Sequence, residues 1–308
     1  MRLTANGLAI EVDVQGPEQG GPVLLIMGLG MQLLGWPQEF VDALVQRGYR
    51  VIRMDNRDIG LSQSFDAMGL PNMAEVWLRH ALHLPVRSPY TLTDMAMDAL
   101  GVLDALGLPQ AHVCGASMGG MIAQHLAALR PQRVSSLTLI MTTSGARRLP
   151  QARLAVRRAL MARPMVADEN LVLAHFTHLL DLIGSPAYPP DPQRLRDRLL
   201  ASYHRSWRPQ GTARQLWAVV ADGDRSRWLG AIRAPTRVIH GQADPLVPVA
   251  AAHDLAGKIQ GAVLEVIPGM GHDLPLELLD RIAAGVAENA QRASSTTPSR
   301  PAGDAGAR

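Results

Sequence analysis

Six short apolar runs without polar alternation constrain this chain more than any other feature: Val23 to Met27, Val51 to Met54, Ala111 to Cys114, Leu137 to Met141, Thr236 to His240 and Val263 to Ile267. A strand with one wet face would alternate, so compact runs rich in Val, Ile and Leu are strands covered by helices on both faces. Gln38 to Gln46, Leu92 to Leu106 and Met118 to Leu129 lie between them and carry apolar residues at helical spacing. Strand and helix in alternation predict an α/β chain with a mostly parallel, doubly wound sheet. Ahead of this core, Arg2 to Thr4 and Leu8 to Val14 flank Asn6-Gly7, a pair that accepts the positive φ angles of a tight hairpin. An antiparallel edge is expected there.

The alternation stops between Gly145 and Ala234, where apparent helices fall near Ala152 to Met161, Asn170 to Ile183, Arg194 to His204 and Ala213 to Val220. A stretch so long and so regular is not an ordinary loop. It is expected to be a helical cap over residues 145–231, inserted into a core of residues 1–144 and 232–290. Asp66 to Pro89 is a second, smaller insertion with a helix expected from Met73 to His83. Residues 291–308 have almost no large apolar side chain and are expected to be disordered.

Composition narrows the function. With 308 residues, 47% of them hydrophobic, the chain can bury one large core. The net charge of +3 comes from scattered arginines and a single lysine, Lys258, so no nucleic-acid face is indicated. No run reaches the roughly 18 apolar residues of a membrane span, and Met1 to Gly20 lacks the pattern of a secretory leader. The expectation is a cytoplasmic protein with no membrane insertion. Cys114 is the only cysteine, which excludes a disulfide or a thiolate metal cluster within one chain. Its simplest role is a small buried apolar residue.

Gly115-Ala116-Ser117-Met118-Gly119 sits between an apolar strand and a helix-like segment. In that setting a sharp turn pushes the serine Oγ out over the sheet, and glycines relieve the crowding of the backbones. A hydroxyl is a poor nucleophile until a base takes its proton, so a carboxylate and a histidine should follow in that order. Asp244 lies just after the strand Thr236 to His240, and His272 just after Val263 to Ile267. Parallel strands deliver their following loops to one edge of a sheet, so Ser117, Asp244 and His272 converge there. Asp222 and Asp224 precede a strand and would reach the opposite edge, where a turn and a helix N-cap suit them better. His240 and His253 read as structural. His80 with His83, and His175 with His178, have i,i+3 spacing but no acidic or thiol partner at matching spacing, so no metal is expected. An oxyanion can be held by backbone N–H groups alone. The expected donors are Met118, next after the serine, and Leu29 in the Gly-rich turn Met27-Gly28-Leu29-Gly30.

These features resemble the α/β-hydrolase superfamily, in particular the bacterial group of aclacinomycin methylesterase-like carboxylesterases, from about Asn6 to Ala290. Met27-Gly28-Leu29-Gly30, Gly35-Trp36-Pro37, Arg53 to Ser62, the turn at Ser117, Ala221 to Arg225 and the Asp244 and His272 loops carry the resemblance. Two departures stand out: Met27 where the superfamily commonly has histidine, and Asp58 where it has glycine. The resemblance implies the α/β-hydrolase fold with an eight-stranded sheet and a cap, no cofactor, and ester hydrolysis on a small-molecule substrate. Rival readings are a proline iminopeptidase-like aminopeptidase, an acyltransferase, a cofactor-free perhydrolase and a ligand-binding receptor on the same fold. The aminopeptidase would need a cap carboxylate, with Glu169, Asp181 and Asp197 as candidates. Met27, Met31, Met141 and Met270 are expected to line an adaptable, apolar acyl pocket.

Overall fold

The structure, a computed structural model, describes residues 1–70, 72–82, 84–162 and 164–296. Strands β1 (Arg2–Ala5), β2 (Leu8–Gln15), β3 (Gly21–Ile26), β4 (Tyr49–Met54), β5 (Ala111–Ala116), β6 (Val134–Ile140), β7 (Thr236–Gly241) and β8 (Val263–Ile267) form one eight-stranded sheet. Its order is β1-β2-β4-β3-β5-β6-β7-β8, with β2 antiparallel to both neighbours and the rest parallel. The hairpin between β1 and β2 turns at Asn6 (φ 50°) and Gly7 (φ 75°), the two positive angles that its tight geometry requires.

Alternate residues of each central strand feed opposite layers. Val23 and Leu25 join Val51 and Cys114 beneath α1 (Gln38–Gln46) and α11 (Leu279–Thr296). Leu24 and Ile26 join Val113 and Leu137 beneath α3 (Leu92–Ala105) and α4 (Met118–Leu129). Both Leu24 and Leu25 are fully buried, so neither position leaves room for a polar side chain. Each such leucine contributes about 1.5–3 kcal/mol by leaving water.

Between β6 and β7 run α5 (Leu154–Met161), α6 (Glu169–Ile183), α7 (Pro192–Arg205), α8 (Pro209–Asp222) and the short α9 (Ser226–Leu229). Helices α5 and α6 share a small apolar cluster of Val156, Ala159, Leu179 and Ile183, and α6 packs on α7. Helix α8 behaves differently, packing on α3 and on α2 (Met73–Ala81) of the smaller insertion. It is longer than its apolar pattern indicated. Pro209 starts it at a position where the missing N–H costs nothing, and Gly223 ends it at φ 65°. The expected helix Met73 to His83 is seen to Ala81, and His83 lies outside the described residues.

One boundary needs correcting. Helix α11 runs to Thr296, six residues into the stretch expected to be disordered from residue 291. Arg292 explains the extension, donating to the carbonyls of Thr236 (3.3 Å) and Gly261 (2.9 Å) at the strand starts. Residues 297–308 lie outside the described residues. No helix among the described residues is long and apolar enough to cross a membrane.

Candidate active site

Ser117 occupies the step between β5 and α4 at φ 54° and ψ −119°, a left-handed conformation that favours glycine. Two glycines make the step possible. A Cβ on Gly119 would lie 2.0 Å from the Ile26 carbonyl oxygen, and one on Gly115 would lie 2.3 Å from the Gly119 oxygen. The Ser117 N–H is held by the Ile140 carbonyl (2.9 Å), and Thr142 Oγ1 donates to the Ser117 carbonyl (2.7 Å). Backbone bonds on both sides therefore fix a strained residue, leaving its side chain half-buried above the sheet edge.

The loops after β7 and β8 bring the other two side chains to the same edge. His272 Nε2 lies 3.0 Å from Ser117 Oγ, and His272 Nδ1 lies 2.7 Å from Asp244 Oδ2. An ionised Asp244 can only accept, so Nδ1 carries the proton and Nε2 is free to accept from the serine hydroxyl. Burial opposes ionisation of Asp244, but the neighbouring imidazoles of His272 and His240 and the Val247 N–H outweigh it. Together they hold the carboxyl well below the ordinary range. Its Oδ1 accepts from the N–H groups of Leu246 (2.9 Å) and Val247 (2.8 Å), which fixes the carboxylate plane.

Among the described residues, no partner meets the backbone N–H of Leu29 or of Met118. Met118 begins α4, where N–H groups are left over by the helix itself. Gly28 places the Leu29 turn against the serine: a Cβ there would stand 3.2 Å from Ser117 Cβ.

The helices between β6 and β7 grip both loops. At the end of α6, the Ile183 carbonyl accepts from the His272 N–H (2.7 Å), and two residues on Ser185 Oγ accepts from the Gly271 N–H (2.8 Å). Ser185 also donates to Asp273, whose carboxyl is pushed up by burial. From α7, Arg205 reaches Asp55 (2.7 Å) and Gln32 (2.6 Å), and Asp55 in turn accepts from the Leu33 N–H (2.7 Å). Asn56 Nδ2 donates to the Met27 carbonyl (2.9 Å), and Gln215 of α8 accepts from the Gly30 N–H (2.9 Å). Sequence reasoning missed Ser185, Arg205, Asn56 and Gln215, because the groups that they hold are far away along the chain.

Asp58, the departure from glycine, keeps the glycine-like backbone with φ 74°. Its fully buried carboxylate is held by two bonds from Arg214 of α8 (2.7 and 2.8 Å) and one from Tyr90 (2.8 Å). Met27, the other departure, packs its side chain over Gly35.

Met27, Met141 and Met270 are buried in the apolar layer that includes Trp36 and Phe40, whereas Met31 is 37% exposed. The flexible thioethers of the first three fill space in that layer. Asp222 pairs with His125 (2.8 Å) and Arg225, and Asp224 accepts from the Ser226 N–H (2.8 Å) at the start of α9. His240 is buried and bonded to the Val247 carbonyl (2.8 Å), while His253 is exposed. Glu169 is half-buried and paired with His204, and Asp181 and Asp197 are exposed. His175 is half-buried against the Phe176 ring and His178 is exposed; no described group of three His, Cys, Asp or Glu residues could hold a metal. Burial pushes the Cys114 thiol well up, as for a packing residue.

A serine on a strained strand-to-helix turn, with a histidine and an acid on the loops after later strands, defines the α/β-hydrolase class. The chain belongs to that family: the alpha/beta hydrolase fold profile matches residues 21–277. It is 31% identical to rhodomycin D methylesterase DauP of a Streptomyces species, over 95% of this chain and 98% of that protein. It is 29% identical to the carbamate hydrolase homologue RutD of Variovorax paradoxus, over 86% of this chain and 90% of that one. Among solved structures, a meta-cleavage product hydrolase from Pseudomonas fluorescens has a TM-score of 0.72 at 21% identity, covering 95% of this chain and 98% of its own. That last likeness concerns the fold.

Proposed function

We propose that this chain is a serine-dependent carboxylic-ester hydrolase acting on small-molecule esters through an acyl-enzyme. The observation that carries the reading is the hydrogen-bonded series Ser117, His272 and Asp244, at 3.0 and 2.7 Å, beside two unengaged backbone N–H groups. Ser117 Oγ attacks the ester carbonyl while His272 Nε2 takes its proton and passes it to the leaving alcohol. Asp244 keeps the imidazole in the productive tautomer and stabilises the imidazolium. Leu29 and Met118 donate to the oxyanion, for which fixed dipoles need no reorganisation. Water, activated by His272 in turn, releases the acid. The helices between β6 and β7 serve as a cap that also steadies the site loops. Relatives named as a methylesterase and a carbamate hydrolase support attack on an acyl carbon bearing an oxygen or nitrogen leaving group.

The test is intact-mass analysis after incubation with a fluorophosphonate, followed by turnover of an ester panel. One phosphonyl adduct on the wild type, none on Ser117→Ala, and turnover of simple esters are expected. An unlabelled wild type would overturn the reading.

A further inference from the structure

The geometry points to Gln215 as a positioning residue for the Leu29 oxyanion donor, a role that rests on the serine-hydrolase reading above. A backbone N–H is aimed by the torsions around it, and Leu29 stands between Gly28 and Gly30, the latter at φ 68°. Glycines on both sides leave such a turn conformationally loose. Its aim must come from outside. The Met27 carbonyl is held by Asn56 and the Gly28 carbonyl accepts from the Met31 N–H (3.2 Å). The peptide immediately after the donor is held by Gln215, whose Oε1 accepts from the Gly30 N–H at 2.9 Å.

Gln215 is itself fixed at both ends. Its Nε2 donates to the Arg57 carbonyl (2.9 Å), and its side chain is fully buried, so no solvent molecule stands ready to replace it. The helix that carries it cannot drift either. Gly211, one turn earlier, lies so close to the loop after β4 that a Cβ would stand 2.0 Å from the Asp58 carbonyl oxygen. Arg214, the preceding residue, clamps the Asp58 carboxylate. Helix α8 thus acts as a rigid strut from the loop after β4 to the oxyanion turn, although Gln215 and Gly30 are 185 residues apart in sequence. Preorganised donors act on the transition state and little on ground-state binding, so loosening this strut lowers kcat and leaves KM nearly unchanged.

Gln215→Met keeps the side-chain length and removes both polar contacts. It should lower kcat on p-nitrophenyl butyrate about 10–100-fold with KM within about threefold. The affinity of an alkylboronic acid, whose tetrahedral serine adduct places an oxygen at the oxyanion position, should fall in step. Gln215→Asn, one methylene too short to reach Gly30 and Arg57, should lower kcat in the same way with KM little changed, and it carries the test if the methionine variant fails to fold. Thr212→Val, on the same helix, should keep the wild-type kcat. A folded Gln215→Met enzyme with wild-type kcat, or one in which KM alone rises, would overturn the positioning role. A wild-type chain inert to fluorophosphonate would overturn the hydrolase reading and this role with it, so the two failures are distinguishable.

Discussion

The aspartate–histidine pairs Asp244–His272 and Asp222–His125 invite comparison. Asp244 meets His272 at 2.7 Å, and Asp222 meets His125 at 2.8 Å. In each, the second ring nitrogen faces a hydroxyl: Ser117 at 3.0 Å in one, Thr93 at 3.2 Å in the other. The likeness ends with the surroundings. The second oxygen of Asp222 is taken by the guanidinium of Arg225, a fully buried cation, so His125 faces an acid already neutralised. The second oxygen of Asp244 takes only uncharged N–H groups, so no guanidinium shares this carboxylate with the imidazole. Thr93 sits inside the first turn of α3, behind a regular capping box at Thr91, whereas Ser117 stands on a strained turn beside unengaged N–H groups. On the serine-hydrolase reading proposed above, an acid, a histidine and a hydroxyl in series are not enough. What separates the two is the absence of a guanidinium on the acid and the backbone donors around the hydroxyl.

The sharpest test exchanges the hydroxyls. Ser117→Ala should lower kcat on simple esters by about 10⁵-fold or more, as removing a nucleophile does when the triad acts as one unit. Thr93→Val should change kcat less than about twofold. A large loss in the threonine variant would break the comparison. Next come the acids. Asp244→Asn should lower kcat by about 10³–10⁴-fold, since the imidazole loses the group that fixes its tautomer. Asp222→Asn should leave kcat near wild type but lower stability in urea by about 3–5 kcal/mol, because Arg225 is left buried without its counter-charge. Equal effects on kcat would mean that the geometry has been misread.

Much of this contrast is legible in the sequence. The strands, and helices such as Gln38 to Gln46 and Met118 to Leu129, follow from apolar periodicity, which is a local signal. The loops of Ser117, Asp244 and His272 follow from the edge to which parallel strands deliver them. The placement of Asp222 outside the site follows from the same rule. What stayed hidden depends on distant side chains: nothing around Gln215 says that it holds Gly30, nor around Arg214 that Asp58 awaits it. The methionines illustrate a related difficulty. Proximity in sequence to site residues does not say which way a side chain turns, and Met27, Met141 and Met270 turn into the core.

Acid titration offers a smaller effect with a definite sign. Burial opposes ionisation of Asp222 too, but His125 and Arg225 outweigh it, so both acids have depressed folded values. A depressed carboxylate contributes its stabilisation fully above the unfolded value of about 3.9, and loses it as pH falls through the folded one. Urea unfolding of the wild type should therefore become steeply easier below about pH 4, and Asp222→Asn should show a shallower fall over the same range. An unchanged slope in the variant would mean that the pair contributes no pH-linked stability.

The smallest expected effect comes from the backbone of Ser117. At φ 54° and ψ −119° any side chain is a burden, and glycine alone is at ease. Ser117→Gly should therefore raise the melting temperature slightly, a gain of up to about 1 kcal/mol, while abolishing turnover. A lower melting temperature would show the serine to be unstrained. If the gain is real, heat and function select in opposite directions at this one position. A library screened for survival on heating, without an activity assay beside it, would drift towards well-folded and inert variants.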